Sequence, residues 1–463
     1  MYYKDVDLLL DALPLKDGMS ISFHHHLRNG DKVLNLILNA LINRGYRDLN
    51  VFPSAIFPVH TSIKTAIEKG LINNLTTNYI NGPVALALKK HGLKGQLKMQ
   101  SHGGRARAII EQDQSIDIAF IAAPCVDQDQ NASSLEGRSA CGSLGYAMED
   151  YQHAKIKVLI TDHIVSKLSE AQLSGNQVDY VLKVDSIGDP KEIMSGTLKP
   201  TNDPLNLKIA RLCMAFLKES GMLKEGVSYQ SGAGGTSLAI TKMFIDYLAQ
   251  QKLTASFFTG GITAHHVAAL KKGLVKKLYD VQCFDEVAIK SLKENPDHEA
   301  ISASDYANPS NEQRKIKDLD IVILGASEID KAFNVNVTTD AYYTIIGGSG
   351  GHSDTAEDAA LTIVVSALYK ARIALIKDQL TALSTKANHI DVLITERGIA
   401  INPKRQDLIK RFKNSPLPIM SIERLQAIAY GFTGVPKPIK KPQHTIGIIE
   451  DRHGHKQDYL YGK

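Results

Sequence analysis

The stretch IDIAFI at residues 116–121 recurs as LDIVIL at residues 319–324, 203 positions later. At the same offset, AIEKGLI at residues 66–72 recurs as ALKKGLV at residues 269–275. Apolar strands resemble one another, so one match alone carries little weight. Two matches with a shared offset and a shared order indicate an internal duplication.

Two further pairs extend the repeat. LKDGMS at residues 15–20 is echoed by LKEGVS at residues 223–228, and IKVLIT at residues 156–161 by IDVLIT starting at Ile390. The larger offset of the last pair predicts extra residues in the second copy, between positions 325 and 390. We therefore predict two homologous lobes, formed by residues 1–220 and residues 221–463.

Each lobe alternates short apolar runs, bounded by polar residues, with longer segments of helical periodicity. The apolar runs at residues 116–123 and 321–324 are typical of buried parallel strands, and residues 33–42 and 238–248 have helical spacing. The pattern predicts an α/β fold with two homologous open doubly wound, mostly parallel-sheet lobes. Ligands of such sheets bind outside the carboxyl ends of the strands.

The composition narrows the function classes. The 463 residues carry a net charge of +5, which is too balanced for a nucleic-acid footprint. The sequence contains neither a signal peptide nor the run of about 20 apolar residues that a membrane helix needs. Four cysteines without CxxC spacing predict reduced thiols. We expect a cytoplasmic protein that binds no nucleic acid and no membrane.

One glycine-rich loop, SGAGGTS at residues 231–237, opens the predicted helix at residues 238–248. The N–H groups of Gly234 and Gly235 are candidate catalytic donors, because unpaired amides at a helix start bind a phosphate or an oxyanion. A tight turn without a ligand is the alternative. The spacing is not GxGxxG, which disfavours a nicotinamide dinucleotide.

A denser loop, GGSGGHSDT at residues 347–355, precedes a helical run predicted from Ala356. It predicts a cradle for an anionic group, although a structural turn is possible. The loop lacks the lysine of a P-loop, which disfavours hydrolysis of a nucleoside triphosphate. The candidate cofactor-binding residues are Gly347, Gly348, Ser349, Gly350, Gly351, His352 and Asp354.

Two first-lobe loops, SFHHHLR at residues 22–28 and SHGGRAR at residues 101–107, combine histidines with arginines that suit a carboxylate. Strand alternation directs His24 and His26 one way and His25 the other. The sequence contains no HExxH motif or cysteine cluster, so we predict no metal site. Loop scaffolding is the alternative role. The candidate substrate residues are His24, His26, Arg28, His102, Gly103, Gly104 and Arg105.

Seven separated blocks share their order with a known family. They are SISFHHHLRNGD (20–31), MQSHGGR (99–105), CGSLGYAM (141–148), FFTGGIT (257–263), FNVNV (333–337), GSGGHSDT (348–355) and DVLITERGIAINP (391–403). With these blocks the chain resembles the α subunit of citrate lyase, a member of the CoA-transferase fold family. The two related α/β domains of that fold agree with the duplication inferred from the repeats.

The resemblance implies a citrate CoA-transferase reaction, in which acetyl-carrier and citrate give citryl-carrier and acetate. The carrier is the CoA-derived thiol of an acyl carrier protein, or acetyl-CoA as co-substrate, and no cofactor is bound permanently. A separate β subunit then cleaves the citryl-carrier. The resemblance also implies a homo-oligomer or a hetero-oligomeric complex.

Relatives that form a covalent glutamyl intermediate have a Glu where this chain has Gly261. The resemblance therefore implies direct attack by citrate on the thioester, with room at Gly261 for the carboxylate of citrate. The position of Gly261 makes it the third candidate catalytic residue. The alternatives are a CoA-transferase for citramalate or malonate, a non-catalytic scaffold of an acyl-carrier complex, and a protein similar to sugar-phosphate isomerases.

Overall fold

A computed structural model describes residues 1–193, 200–437 and 439–462. The strands up to residue 193 are β1 (Tyr2–Tyr3), β2 (Ser20–Phe23), β3 (Leu49–Pro53), β4 (Ile72–Thr77), β5 (Leu97–Met99), β6 (Ile118–Ala122), β7 (Cys125–Val126), β8 (Ala132–Ser133), β9 (Ile156–Thr161) and β10 (Tyr180–Lys183). The helices there are α1 (Val6–Ala12), α2 (Val33–Asn43), α3 (Thr61–Glu68), α4 (Pro83–His91), α5 (His102–Ile110) and α6 (Met148–His153).

From residue 200 onward the strands are β11 (Tyr229–Ser231), β12 (Ala255–Ile262), β13 (Val275–Cys283), β14 (His298–Ala300), β15 (Ile321–Leu324), β16 (Glu328–Asp330), β17 (Val335–Asn336), β18 (Leu361–Val365), β19 (Tyr369–Lys370), β20 (Ile373–Ala374), β21 (Ile376–Lys377), β22 (Val392–Thr395), β23 (Gly398–Ile401), β24 (His444–Glu450) and β25 (Lys456–Gly462). The helices are α7 (Pro204–Ser220), α8 (Gly235–Gln251), α9 (Ala264–Lys271), α10 (Glu286–Glu294), α11 (Ala303–Ala307), α12 (His352–Asp358), α13 (Gln406–Arg411) and α14 (Ile422–Thr433).

Two large sheets organise these elements. The first has the strand order β1-β10-β9-β6-β2-β3-β4-β5-β24-β25, and the second has the order β14-β13-β12-β11-β15-β18-β22-β23. Pairing is parallel throughout both sheets except at β25 and β23, which are antiparallel edge strands. The predicted fold class, two related open sheets with mostly parallel strands, is confirmed. The central strands β6, β15 and β18 are buried along their whole length, which explains their continuous apolar sequence.

The duplication extends to a matching pair of side chains. In the first lobe, Asp117 accepts hydrogen bonds from the backbone N–H of Ser20 at 2.8 Å and from its hydroxyl at 2.9 Å. In the second lobe, Asp320 accepts from the N–H and hydroxyl of Ser228, at 2.9 and 3.2 Å. In each lobe this pair joins the starts of two neighbouring central strands.

One predicted repeat pair is wrong. IKVLIT forms β9, which pairs with β6, whereas IDVLIT forms β22, which does not neighbour β15. The strand beside β15 is β18, so β9 corresponds to β18 and β10 corresponds to β22. The extra residues of the second lobe therefore lie after β18, where β19, β20 and β21 are inserted. The match was misleading because buried parallel strands have nearly interchangeable sequences.

The predicted lobe boundaries also need two corrections. Strand β24 pairs with β5, so the C-terminal hairpin completes the first sheet and is not part of the second lobe. Helix α7 packs on the second lobe, where the rings of Phe216 and Phe412 stack with centroids 4.3 Å apart. Asp203 caps the start of α7, so the second lobe begins near residue 203. Hairpin and helix were assigned from chain order, which does not specify packing partners.

No helix in the described part of the chain is long and apolar enough to span a membrane.

Candidate active site between the lobes

The carboxyl ends of the two sheets meet across one interface. The backbone N–H of His102 donates to the Gly350 carbonyl oxygen at 2.9 Å, and Gln282 Nε2 donates to the His25 carbonyl oxygen at 3.0 Å. We call this interface the seam, which comprises His25, Arg28, His102, Tyr146, Gln230, Gly261, Gln282, Phe284, Tyr306 and Gly350.

Strand alternation correctly predicts that His24 and His26 point one way and His25 the other, but His25 is the one that faces the seam. His24 Nε2 lies 3.0 Å from an oxygen of Asp150, and both side chains are fully buried. His26 Nε2 lies 2.9 Å from the carbonyl oxygen of Ala122. The prediction that His24 and His26 meet the substrate is therefore corrected: both rings lie beneath the seam, and His25 faces it.

Arg105 is similarly occupied. Its guanidinium forms a bidentate pair with Asp150, with both N–O distances 2.7 Å, and the residue is 4% exposed. Burial alone would raise the pKa of Asp150, but the charges of Arg105 and His24 lower it. A guanidinium engaged in this way has little capacity left for a second carboxylate. The predicted substrate role of Arg105 is corrected to a support for the histidine loop.

Tyr146 packs against two imidazoles in the seam. Its ring centroid is 4.5 Å from that of His25 and 4.4 Å from that of His102. Burial lowers the pKa of His102 to about 3, and it lowers the pKa of His25 well below its usual range. Both rings are therefore neutral near pH 7. His102 lies at the seam, and its Nδ1 has no hydrogen-bond partner in the described residues; its predicted substrate role stays a prediction.

Arg28 supplies positive charge to the seam. Its guanidinium carbon lies 5.1 Å from the centroid of the Phe57 ring and 5.0 Å from that of Phe284, so it contacts an aromatic ring of each lobe. Arg28 has a positive φ of 51°, a conformation that non-glycine residues rarely adopt. The predicted substrate role of Arg28 is compatible with this position and stays a prediction.

The space beside Gly261 is filled by protein. A Cβ at this position would lie 2.1 Å from the Phe284 ring, and β12 is irregular between Gly260 and Gly261. The expectation that a missing side chain leaves room for a carboxylate of citrate is wrong, because Phe284 takes that volume. Gly261 itself lies at the carboxyl end of β12, and its predicted catalytic role stays a prediction.

The glycine-rich loop at residues 231–237 opens α8 as predicted. Gly234 is the N-cap residue, no side chain caps the helix, and a Cβ at Gly234 would meet no atom within 4 Å. The first amides of such a helix lack intrahelical partners. The backbone of Gly234 is therefore open at the strand ends, and the role of Gly234 and Gly235 as donors stays a prediction.

Gln230 and Tyr306 link the glycines of β12 to the 347–355 loop. Gln230, at the end of β11, donates from Nε2 to the Tyr306 hydroxyl at 2.7 Å. A Cβ at Gly351 would lie 2.6 Å from that hydroxyl, and a Cβ at Gly260 would lie 2.9 Å from Gln230 Nε2. Gly260 of β12 and Gly351 of the 347–355 loop therefore meet at one edge of the seam.

The loop at residues 347–355 is packed against the first lobe. A Cβ would lie 2.6 Å from the Val337 carbonyl oxygen at Gly347 and 2.1 Å from the Asn78 carbonyl oxygen at Gly348. Gly350 has a φ of 52° and lies against His102. Close packing thus accounts for these glycines without a ligand, and the predicted role in carrier binding stays a prediction.

The residues after this loop are also engaged. Helix α12 begins at His352, four positions before the predicted start, because Ser349 accepts a hydrogen bond from the Ser353 N–H. The ring nitrogens of His352 contact Thr385 Oγ1 at 2.8 Å and the Gly325 carbonyl oxygen at 2.9 Å. Neither nitrogen is available for a carrier in this structure.

Asp354 is corrected from a carrier ligand to a clamp between the lobes. Its carboxylate accepts hydrogen bonds from the Ser101 hydroxyl at 2.6 Å and from the Gly103 N–H at 2.8 Å, at the start of α5. Burial raises the pKa of Asp354 to about 7. The carboxyl is fully buried, so it does not face a ligand.

Gly103 and Gly104 also serve the packing of the lobes. A Cβ at Gly103 would lie 2.0 Å from the Ala307 carbonyl oxygen of α11, and one at Gly104 would lie 3.1 Å from the Arg452 Cα. Their predicted contact with substrate is corrected, because both are buried against protein. No cluster of metal-ligating side chains occurs among the described residues.

Sequence reasoning missed several residues of the seam. They are His25, Tyr146, Gln230, Gln282, Phe284 and Tyr306. Tyr146 lies in the block CGSLGYAM, which carried the family resemblance but received no role. His25 stands in the histidine run, but the sequence analysis assigned the substrate to its neighbours. Gln230, Gln282, Phe284 and Tyr306 had no signal, because they reach the seam from three separate elements, β11, the end of β13 and α11.

Two duplicated, mostly parallel sheets with facing carboxyl ends, and glycine-rich strand ends between them, define a protein of the CoA-transferase fold class. The more specific assignment comes from sequence comparison. Residues 4–462 match the family "Citrate lyase, alpha subunit (CitF)". The chain belongs to this family, whose members are subunits of a multi-subunit enzyme.

Individual relatives agree with the family. The chain is 40% identical to the citrate lyase alpha chain of Klebsiella pneumoniae over 441 residues, which cover 95% of this chain and 87% of that one. It is 39% identical to the Haemophilus influenzae alpha chain, covering 96% and 90% of the two chains. The crystal structure of a Streptococcus mutans citrate lyase α subunit in complex with citrate superposes with a TM-score of 0.96 at 39% identity, covering 100% of this chain and 91% of that chain.

More distant structures share the fold alone. The malonate decarboxylase α subunit from Acinetobacter baumannii superposes with a TM-score of 0.66 at 14% identity, covering 94% of this chain and 85% of that one.

Proposed function

We propose that this chain is the citrate CoA-transferase subunit of citrate lyase and uses no covalent glutamyl intermediate. It exchanges acetyl for citryl on the CoA-derived thiol of an acyl carrier protein. The observation that carries this proposal is position 261, which has no carboxylate and whose side-chain volume is filled by Phe284. The citrate complex of the Streptococcus mutans relative supports citrate as the carboxylate.

The proposed reaction proceeds in two steps. A carboxylate oxygen of citrate attacks the acetyl thioester carbonyl, and the C–S bond breaks to give a citryl–acetyl mixed anhydride and the carrier thiolate. The thiolate then attacks the citryl carbonyl of the anhydride, which yields citryl-carrier and acetate. Neither step needs a residue that stores the acyl group.

The buried carboxylates beside the seam support the absence of an enzyme nucleophile. Asp150 is paired with Arg105, and Asp354 accepts from Ser101 and Gly103. Asp280 lies 3.0 Å from His298 Nε2. Each carboxylate is held in an internal contact and is poorly placed to attack a thioester.

The protein contributes by positioning the reactants and stabilising charge. Alignment of two reactants in one site is worth up to about 7–11 kcal/mol of activation free energy. The open amides at the start of α8 suit the anion that forms on the attacked carbonyl, and one such donor is worth about 3–4 kcal/mol. The seam and its Arg28 guanidinium suit the negative charge of citrate.

A carboxylate panel tests the reaction. The purified chain is incubated with acetyl-CoA and with citrate, citramalate or malonate, while acetate and the acyl-CoA products are followed by mass spectrometry. We expect citryl-CoA and acetate in equal amounts, with citrate the best acceptor. A preference for citramalate or malonate would replace citrate as the substrate, and no exchange with any acceptor would favour a scaffold.

A second experiment addresses the intermediate. The chain is incubated with acetyl-CoA alone and digested, and the peptides are searched for a carboxylate joined to CoA. We expect no such peptide. A stable glutamyl-CoA thioester would refute direct attack, while citrate-dependent exchange could still hold.

Gly235→Pro tests the amide donor at α8. Proline at the first helical position removes one N–H and fits the helix, as Pro204 does in α7. The extended backbone of Gly234 is compatible with a following proline. We expect kcat to fall about 100- to 1,000-fold with an unchanged melting temperature. An unchanged kcat would remove this amide from the mechanism.

The β subunit and the acyl carrier protein are the partners we propose for the assembled enzyme.

A further inference from the structure

The block CGSLGYAM at residues 141–148 has no role in the reaction as proposed so far. Its two glycines press on the second lobe. A Cβ at Gly142 would lie 2.3 Å from Cys283 Sγ, and one at Gly145 would lie 2.4 Å from the Ile301 carbonyl oxygen and 2.6 Å from that of Val281. Val281 and Cys283 belong to β13, the strand that pairs with β12 beside Gly261. The block therefore crosses from the first lobe to the end of β13.

This crossing places Tyr146 inside the seam. The residue is only 7% exposed, and its ring packs against those of His25 and His102, which also stack on each other with centroids 6.1 Å apart. Both imidazoles come from the first lobe, while Val281, Ile301 and Tyr306 of the second lobe belong to the same buried cluster as the Tyr146 ring. The phenol is therefore fixed in position and oriented by contacts from both lobes.

The hydroxyl of Tyr146 differs from those of other buried tyrosines. It makes no hydrogen bond to any described residue; the backbone carbonyl of Tyr146, by contrast, accepts one from Arg105. Tyr229 and Tyr306 have hydroxyl partners at 2.9 and 2.7 Å, and the Tyr151 hydroxyl donates to the Ser174 carbonyl oxygen. Most hydroxyls of buried tyrosines are paired, whereas that of Tyr146 is unpaired and not fully enclosed by protein, so a ligand at this site between the lobes can reach it.

The surroundings indicate what this ligand group is. Burial raises the pKa of Tyr146 well above its usual range, so the phenol is a neutral donor. The neighbouring histidines are neutral, and a hydrogen bond to a charged acceptor is stronger than one to a neutral acceptor, which favours an anionic acceptor. A thioester sulfur is a weak acceptor by comparison. A carboxylate is the stronger acceptor for the phenol.

We propose that the Tyr146 hydroxyl donates a hydrogen bond to the carboxylate substrate bound in the seam, and that the 141–148 block serves to hold it there. This inference rests on the proposed function, because it takes citrate as the carboxylate. Tyr146 is then a substrate-contacting residue, whereas Arg105, His24 and Asp150 support the site from below.

Tyr146→Phe tests the inference, because it deletes the hydroxyl and keeps both ring contacts. Citrate binding to the purified full chain is measured by calorimetry without any acyl carrier. We expect affinity for citrate to fall about 10- to 100-fold, as for loss of one hydrogen bond to a charged group. We expect affinity for acetyl-CoA and the melting temperature to remain at their original values.

Tyr151→Phe is the matched control. It removes another buried phenol hydroxyl, from a ring that is 5% exposed and paired with the Ser174 carbonyl oxygen. We expect this variant to melt at a lower temperature and to bind citrate normally.

Three outcomes would overturn the inference. They are an unchanged citrate affinity in Tyr146→Phe, a citrate affinity that falls together with a melting temperature lowered as far as in Tyr151→Phe, and an original chain that binds no citrate. The last outcome would also remove the proposed function. An original chain that binds citrate without exchanging acetyl would remove the proposed function alone and leave the inference to the calorimetric comparison.

Discussion

At Gly261 a missing side chain makes room for a neighbouring ring. The Phe284 ring lies where a Cβ would be, and the Arg28 guanidinium lies 5.0 Å from the same ring. One glycine therefore decides where an aromatic ring and, through it, a cation of the other lobe are placed. The chemistry expected at this position thus depends on a second residue that the sequence does not identify.

Gly261→Ala should destabilise the protein, because its methyl group would overlap the Phe284 ring. Overpacking of this kind costs about 1–3 kcal/mol. Urea denaturation measures the change, and citrate affinity should fall in parallel as Phe284 and Arg28 shift.

Gly431→Ala is the control for this variant. Gly431 lies in α14, and its Cβ would meet no atom within 4 Å. This substitution should leave stability unchanged or raise it by up to about 1 kcal/mol. Equal stability of Gly261→Ala and the original chain would contradict the assignment of that volume to Phe284.

Individual polar residues also show what the sequence alone cannot predict. His24, Arg105 and Asp354 have the right chemistry to bind anions or carriers, but all three already contact partners inside the protein. Asp150 is far along the chain from His24, and Ser101 is far along the chain from Asp354. Residue type predicts what a side chain can bind but not whether another side chain already binds it.

The C-terminal hairpin is the element that most changes the predicted architecture. Strand β24 extends the first sheet at β5, and the turn between β24 and β25 carries Arg452 to helix α12 of the second lobe. Arg452 is 4% exposed and donates to Asp358 at 2.9 and 2.7 Å. The hairpin therefore fastens the helix that follows the 347–355 loop.

Arg452→Ala should cost about 3 kcal/mol, at the lower end expected for removing one partner of a buried ion pair, because Arg314 continues to pair with Asp358. The free energy of unfolding in urea gives the measurement. Affinity for acetyl-CoA should fall more than affinity for citrate, since α12 adjoins the predicted carrier loop.

His455→Ala serves as the comparison on the same turn. The His455 side chain is 79% exposed and lies 3.6 Å from Asp451. An exposed pair of this kind contributes about 0–1 kcal/mol. A similar loss of stability in the two variants would show that the turn, and not the Arg452 ion pair, carries the effect.

For the whole molecule, buried histidines make stability depend on pH. Burial lowers the pKa of His102 and His266 to about 3 and that of His26 and His352 to about 4, from an ordinary value of 6.5. A histidine whose pKa is lower in the folded chain stabilises the fold above pH 6.5. That stability is lost as pH falls toward the folded pKa, because the unfolded chain binds protons first.

Two carboxyls act in the opposite direction. Burial raises the pKa of Glu149 and Asp354 to about 7, so ionisation of these groups destabilises the fold as pH rises from about 4 to 7. Each proton bound differently by the folded and unfolded chains changes the free energy of unfolding by about 1.4 kcal/mol per pH unit. The four histidines outnumber the two carboxyls, so the histidines decide whether the free energy of unfolding rises or falls with pH.

We expect the protein to become less stable as pH falls from 7 to 5. Urea midpoints at the two pH values give the measurement. Replacement of one histidine by glutamine, as in His266→Gln, should reduce the loss, and Asp354→Asn should increase it. Equal or greater stability at pH 5 would contradict the burial of these groups as neutral histidines.

The sequence alone determined the duplication, the α/β class and the glycine-rich strand ends, because these depend on local periodicity and on short motifs. It also determined the family, through blocks whose order survives along the chain. Only the tertiary structure decided which polar groups face the seam, which strands correspond between the lobes, and where the C-terminal hairpin belongs. These features depend on contacts between residues hundreds of positions apart, and close packing lets one ring or one carboxylate claim a volume that local sequence assigns to a ligand.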